Sequence, residues 1–235
     1  MQIYLLVFAV GSIMASFLNV VAKSIPIKEN WWLRRSACPH CQTTLTPREL
    51  VPIFSFLLQS GRCRFCRVKI SPIYFLVEVV GGFLFVVPLF FLEVPPSGLF
   101  FSELIQAWFV MALLLMVTLT DIYYQLIPNK VLIVFAIGFL LTGGNVITGL
   151  VGFLFFYGTS LLGKVLFKRE TIGGGDIKLY FVIGLVLSLQ ELFLAILISS
   201  GVALIYILVI GKNKAIPFAP FISLGALAVY LMGLQ

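Results

Sequence analysis

Residues 104–121 read LIQAWFVMALLLMVTLTD, an apolar run whose only charge is its last residue, Asp121. A helix rises about 1.5 Å per residue and a bilayer's hydrocarbon core is about 30 Å thick, so a stretch of this length and polarity reads as a membrane span. Runs near 3–22, 73–92, 191–210 and 216–234 have the same character. Weaker runs, shorter or interrupted by Gly, lie near 128–143, 146–163 and 177–190. Of 235 residues, 61% are hydrophobic and only 11% charged, with a mean hydropathy of +1.12. A soluble domain carries about 25% charged residues, so too little polar sequence remains to coat a soluble exterior. The composition excludes a water-soluble globule, a disordered chain and a disulfide miniprotein. It predicts an all-α polytopic membrane protein of about eight transmembrane helices.

The few charges orient these spans. Nine of the 16 Lys and Arg residues lie between the first and second runs, from Lys23 to Lys69. Lys130 follows the third run; Lys164, Lys168, Arg169 and Lys178 surround the junction of the fifth and sixth; Lys212 and Lys214 separate the last two. The connections near 93–103, 143–146 and 188–191 have no cation, and neither terminus has one. With eight spans the cationic and cation-free loops alternate without exception. The positive-inside rule then puts both termini outside and the four basic loops in the cytoplasm. The net charge of +7 is thus an orientation signal, and cations spread along membrane edges do not suggest nucleic-acid binding. Trp31 and Trp32, beside Arg34 and Arg35, suit an anionic headgroup surface. The first run lacks a basic segment before it and carries its cations after it, a pattern expected of a retained anchor rather than a cleaved signal peptide. The expected division is residues 1–22 as first span, 23–72 as a cytoplasmic loop and 73–235 as a seven-helix membrane core.

The loop 23–72 is the only long polar segment and holds all four cysteines, in Cys38-Pro39-His40-Cys41 and Cys63-Arg64-Phe65-Cys66. Two C-x2-C knuckles separated by 21 residues fit a tetrahedral structural zinc site made by Cys38, Cys41, Cys63 and Cys66. So short a loop builds little core, and a metal would supply the missing stabilisation. A reducing cytoplasm disfavours disulfides, although the same residues could be redox or incidental thiols. His40 reads as a surface residue beside the metal. Four thiolates leave no open coordination position, so the site reads as structural rather than catalytic.

Asp121 and Asp176 are the only aspartates. The charge map puts both at cytoplasmic ends of their helices, where they could meet at one membrane depth. Ionisable groups at a bilayer edge are functional candidates. Two carboxylates held close share a proton, leaving one acid and one base able to activate water for attack on a peptide carbonyl. Gly173, Gly174 and Gly175 precede Asp176 and would let a substrate strand approach the backbone closely. Pro128 marks the start of the next helix. Each aspartate alone also fits a helix cap or a lipid-edge charge. Glu78, inside the second span, either bonds within the bundle, pairs with a group such as Lys69, or assists the site.

Together these residues resemble the type IV prepilin peptidase family, GxGD-type membrane aspartic proteases, over nearly the whole chain. The matching stretches are Ala15-Ser16-Phe17-Leu18-Asn19-Val20-Val21; Arg35-Ser36 with the first knuckle; Glu49-Leu50-Val51-Pro52; Gly61-Arg62 with the second knuckle; and Ile70-Ser71-Pro72 followed by Glu78. Asp121 before Leu126-Ile127-Pro128-Asn129 resembles the first catalytic motif, and Gly173-Gly174-Gly175-Asp176-Ile177-Lys178 the second. Ile216-Pro217-Phe218-Ala219-Pro220 resembles a P-F-G-P segment. Ala15 and Ala219 stand where the family has Gly, and Lys23-Ser24 where Arg-Leu is more usual. The resemblance implies an Asp121/Asp176 dyad, supported by the three glycines, Lys178 and Glu78. Its substrates would be prepilins or pseudopilins of type IV pili, type II secretion or competence, cleaved at the cytoplasmic side of a bacterial membrane. It also implies N-methylation of the new amino terminus with S-adenosylmethionine, and a cysteine loop linked to that activity or to substrate handling. That loop is too small for a Rossmann-like domain. The sequence leaves the oligomeric state open.

Other readings are a transporter or channel coupling ions through Glu78 and the Asp pair, a zinc-bearing scaffold without chemistry, and a GxGD protease for other membrane substrates. Against the transporter, the aspartates sit at one membrane edge rather than the midplane, and no internal repeat is evident. The cysteine loop favours the prepilin enzymes over other GxGD proteases.

Overall fold

The computed structural model describes residues 2–27, 35–92, 99–168, 172–210 and 216–234, which fall into two compact units, Met1–Phe90 and Phe91–Gln235. Among the described residues the fold is all-helical, with isolated β-bridges in place of strands. Trp31, Trp32 and Arg34 lie outside the described residues, as do Lys28, Arg169, Lys212 and Lys214 of the charge map.

In the first unit, helices α1 (Gln2–Ser24) and α3 (Pro72–Val86) pair along their length. The pairing is close because small residues face it. A Cβ on Gly82 would stand 2.6 Å from the Phe8 ring, and one on Gly11 would stand 2.7 Å from Phe85 Cβ. Phe8 meets Phe83 edge-on at 5.0 Å. Leu5, Ile13, Leu76 and Phe83 are each more than half exposed, an apolar exterior suited to lipid. Between the helices lie a 3-10 turn (Pro47–Glu49) and the short helix α2 (Phe54–Leu58).

This loop contains a repeat that sequence inspection missed. Residues 36–47 and 61–72 are built alike, in matching order. In the first knuckle the Cys38 N–H donates to Thr43 O (3.0 Å), Gln42 N–H to Cys38 O (2.9 Å) and Leu45 N–H to Ser36 O (2.8 Å). In the second the Cys63 N–H donates to Val68 O (2.9 Å), Arg67 N–H to Cys63 O (2.9 Å) and Ile70 N–H to Gly61 O (2.8 Å). The bridges Ala37–Thr44 and Arg62–Lys69 also correspond. Gln42 and Arg67 share a left-handed backbone, with φ of 56° and 58°. Each hairpin then runs into a capped turn with proline at its start, Thr46-Pro47 before the 3-10 turn and Ser71-Pro72 before α3.

The second unit holds α4 (Leu99–Tyr124), α5 (Asn129–Leu141), α6 (Val146–Phe167), α7 (Gly174–Gly184), α8 (Leu189–Ile210) and α9 (Ala219–Met232). α4 is central: 67% of its span is buried, against 22% for α8. α9 packs against both α4 and α8, and α7 against α5 and α6. Hydroxyls tie α4 to α9, with Thr118 donating to Ser223 Oγ (3.0 Å) and Ser223 to Leu114 O (3.2 Å). Between α6 and α7 the backbones almost touch. A Cβ on Gly184 would stand 2.8 Å from Gly149 Cα, and one on Gly152 3.0 Å from Tyr180 O. Small residues permit this approach between apolar helices.

Gly184→Val is therefore expected to destabilise the unit by about 1–3 kcal/mol, read as a lower thermal midpoint in detergent. Gly158→Val, at a position where a Cβ meets nothing within 4 Å, should leave the midpoint unchanged.

Five helices are long and apolar enough to cross a membrane: Gln2–Ser24, Pro72–Phe90 with its final 3-10 turn, Ser102–Tyr124, Val146–Phe167 and Leu189–Val209. The chain is thus a multi-pass membrane protein. The run at 146–163 proves to be a full 22-residue helix, because its glycines lower hydropathy without breaking the helix, and Gly149 and Gly152 are used in packing. The run at 216–234 gives a helix of only 14 residues, since Pro217 and Pro220 delay its start. α5 has 13 residues and α7 has 11. α7 ends early, at Gly184, and the connection expected near 188–191 holds a reciprocal cap at the start of α8: the Ser188 N–H donates to Glu191 Oε2 (2.7 Å) and the Glu191 N–H to Ser188 Oγ (3.4 Å).

Candidate functional site

Asp121 stands in the last turn of α4 and is buried. Its carboxylate is held by the start of α9: the Ala219 N–H donates to Asp121 Oδ2 at 2.8 Å, and the Phe218 N–H also bonds it. The first N–H groups of a helix have no internal partner and favour an anion. α9 has no side-chain cap at Phe218, and Asp121 takes that place. Ala219 is fully buried against it, which accounts for a small residue there. Sequence reading treated this segment only as a matching motif. The signal was present in Pro217 and Pro220, which mark a helix start.

Asp176 is the third residue of α7, half-buried, and its N–H donates to Gly173 O (3.1 Å). The charge of Asp121 acts on it electrostatically. Two further contacts bring the second motif onto the loop that follows Asp121. A Cβ on Gly175 would lie 3.2 Å from Ile127 Cβ, and Lys178 Nζ donates to Asn129 Oδ1 at 3.0 Å. The three glycines are not equivalent. Gly175 is small because Ile127 packs on it. A Cβ on Gly173 would face the Asp176 carboxylate at 3.3 Å, and one on Gly174 meets nothing within 4 Å. Gly173 and Gly174 are exposed, leaving open backbone beside Asp176. Pro128 caps α5, as its position in the sequence suggested. The arrangement is two carboxylates on neighbouring segments, one anchored and one beside bare backbone, at helix ends rather than mid-helix.

Glu78 belongs to the first unit. Its Oε1 accepts from the Ser16 hydroxyl of α1 (2.8 Å) and its Oε2 from the Ile53 N–H of the loop (2.7 Å). Of the readings left open for it, the structure displays hydrogen bonding within the bundle. Ile53 has φ 65°, ψ −57°, and the Phe54 N–H reaches Pro52 O at 2.6 Å, a tight turn that strains a β-branched residue. Glu78 fixes the strained N–H.

The four cysteines converge. Their sulfurs all lie within 4.8 Å of one another, with Cys38–Cys66 at 3.8 Å and Cys41–Cys63 at 4.0 Å. Four sulfurs each about 2.3 Å from a tetrahedral zinc stand about 3.8 Å apart, so the donor set fits that ion. None is in a disulfide. Hydrogen bonds within each knuckle aim at sulfur. Thr43, through side chain and backbone, lowers the Cys41 thiol to about 6, and the N–H groups of Cys66 and Phe65 lower Cys63. The Val68 N–H also lowers Cys66, but burial and the neighbouring thiols outweigh it and push Cys66 up to about 11. His40 is exposed and outside the cluster.

Two family models cover most of the chain: Bacterial Peptidase A24 N-terminal domain matches residues 9–92, and Type IV leader peptidase family matches 108–208. A Bacillus subtilis protein, "Prepilin leader peptidase/N-methyltransferase", is 35% identical, covering 97% of this chain and 94% of its own length. The chain belongs to the type IV leader peptidase family. An Escherichia coli relative, "Type 4 prepilin-like proteins leader peptide-processing enzyme", is 33% identical over 95% of this chain and 92% of its own length. An Aeromonas hydrophila "Prepilin leader peptidase/N-methyltransferase" is 30% identical over 97% and 90%. The chain has no significant match among solved structures. The second family match spans both aspartate motifs, and the first contains the four cysteines and Glu78.

Proposed function

We propose that this leader peptidase family member removes the leader of type IV prepilins or pseudopilins, with Asp121 and Asp176 as its catalytic pair. The observation that carries the reading is the anchored Asp121 carboxylate with the Asp176 motif packed on the loop that follows it, Gly175 against Ile127 and Lys178 on Asn129, beside the exposed Gly173-Gly174 backbone. In the proposed step, the ionised member takes a proton from water while the protonated member donates one to the scissile carbonyl oxygen. The tetrahedral adduct then collapses. Its C–N bond breaks as the departing amine takes the proton first drawn from water, and one hydroxyl of the adduct returns its proton to the other aspartate. The pair titrates as a unit, so the two roles belong to the dyad. Gly173, Gly174, Gly175 and Lys178 position it, and Glu78 supports the first unit.

The proposed topology has eight spans, with both termini outside and the aspartates on the cytoplasmic side. The basic loops support it. α5, α7 and α9 would be short or tilted segments, since 13 residues of helix reach about 20 Å. Positions of Asp121 and Asp176 at helix ends weigh against an ion-coupling pair at the midplane. The cysteine cluster is proposed as a structural zinc site. N-methylation with S-adenosylmethionine is proposed from the names of the relatives.

Co-expression with a prepilin in cells lacking their own peptidase tests the central reading. Leader removal, seen by mass spectrometry of the pilin, should require this chain. A prepilin that keeps its leader in the presence of folded, membrane-inserted enzyme would count against it.

A further inference from the structure

Residues 50–58 of the knuckle loop carry large apolar side chains that face outward. Leu50, Val51, Phe54, Leu57 and Leu58 are all exposed, Leu58 at 84%. We propose that this face, centred on α2, lies in the interfacial layer of the bilayer and anchors the knuckle loop on anionic phospholipid.

The spacing sorts α2 into two faces. Phe54, Leu57 and Leu58 stand at i, i+3 and i+4, which is one side of a helix. Phe56 points the other way and stacks on Phe75 of α3, with ring centroids 5.2 Å apart. Just before α2, the Ile53 N–H donates to Glu78 Oε2 at 2.7 Å. These two contacts fix α2 on the first two turns of α3. With α3 starting at Pro72, Phe75 and Glu78 lie about 5 and 9 Å along its axis.

That position sets a depth. The span Pro72–Phe90 has 19 residues and rises about 30 Å, the thickness of a bilayer's hydrocarbon core. So little length is spare that its first turns must lie at the hydrocarbon boundary, and α2 lies there with them. Leu76, next to Phe75, already belongs to the exposed apolar exterior of α3. The outward face of α2 is therefore held at the level where an in-plane helix buries its apolar side.

A patch of this kind on a polar loop marks an interaction surface, and the charges choose the partner. Arg48 precedes the patch and Arg62 follows it, while Arg64, Arg67 and Lys69 are exposed on the second knuckle. Residues 35–71 hold six cations against one acid, Glu49, and its carboxylate already accepts from Thr46. Apolar residues bordered by Lys and Arg suit an anionic headgroup layer, where each nearby cation adds attraction. The loop leaves the membrane after α1 and returns at α3, so it stands at a bilayer surface in either orientation. A basic leader peptide is a poorer occupant, since the same cations oppose it. α2 joins the two knuckles in the chain, so anchoring it holds both cysteine hairpins against the membrane.

The test uses full-length protein, purified in the presence of zinc, in nanodiscs of phosphatidylcholine and phosphatidylglycerol. The discs are doped with a phosphatidylcholine whose acyl chain carries a diazirine. After photolysis, trypsin cuts behind Arg48 and Arg62 and releases residues 49–62 as one fragment, in which mass spectrometry locates lipid adducts. They are expected on Phe54, Leu57 or Leu58. The double variant Leu57→Gln, Leu58→Gln should lower the yield in this fragment about tenfold, with adducts on α3 and zinc content unchanged. A second arm needs no variant: discs of phosphatidylcholine alone should lower the wild-type yield about fivefold. An unlabelled fragment beside a labelled α3 in the wild type overturns the inference. So does an equal yield in variant and wild type, or capture of the fragment by a second copy or an added prepilin in place of lipid. An equal yield with and without phosphatidylglycerol overturns the assignment to anionic lipid.

Discussion

Asp121→Asn and Asp176→Asn are each expected to reduce leader cleavage by roughly 10²–10⁴-fold or more, the contribution of a positioned general acid or base. Each amide keeps the shape of the carboxylate but cannot carry the shared proton. Both variants should still insert in the membrane, because the packing of α4, α7 and α9 does not depend on ionisation. Asp121→Asn tests a second point. The N–H groups of Ala219 and Phe218 bond its carboxylate, and an amide oxygen accepts such bonds more weakly. Loss of activity with an unchanged thermal midpoint would identify chemistry rather than structure as the role. The pH profile of the wild type should be bell-shaped. At low pH both groups are protonated and no base remains; at high pH both are ionised and no acid remains. Normal cleavage by either variant would exclude the dyad.

Removing the metal is the second large effect expected. Purified protein should contain about one zinc per chain, and Cys41→Ser or Cys63→Ser should bring that close to zero. Structural zinc sites of this size supply about 10–16 kcal/mol of apparent binding energy. The two knuckle hairpins are held by a few backbone hydrogen bonds each and bury little apolar surface. Without metal they should open, and limited proteolysis should cut within residues 35–71. Zinc content is measured by mass spectrometry of the metal and the cut by that of the fragments. A reduced, natively purified wild type without metal, whose loop resists protease, would exclude the zinc reading.

The membrane character was legible in the chain because burial in lipid demands long uncharged helices, and such runs announce themselves. Their ends were less legible. The span expected over 177–190 stops at Gly184 and prolines shorten another, through local geometry that hydropathy averages out. The knuckles could be read as a ligand set from spacing alone. Their duplication extends past the cysteines only in Leu45-Thr46-Pro47 against Ile70-Ser71-Pro72; the rest of the match is backbone bonding by dissimilar residues such as Thr43 and Val68, which residue identity does not show.

The site divides along the same line. Asp121 and Asp176 stood out as the only aspartates in a charge-poor chain, and the motifs around them fixed the family. What anchors Asp121 did not stand out: Pro217 and Pro220 mark a helix start, but nothing in the sequence says that its free N–H groups face Asp121. Nor could the sequence separate Gly175, crowded by Ile127, from Gly174, which touches nothing. Glu78 looked equally suited to catalysis and to structure until its partners, Ser16 and Ile53, were in view. The sequence by itself determined a multi-pass helical membrane protein, its cysteine cluster and its pair of acids, because composition and spacing are one-dimensional properties. Only the tertiary structure decided which backbone donors hold the acids and how α2 of the knuckle loop docks on α3, because those contacts join residues far apart in the chain.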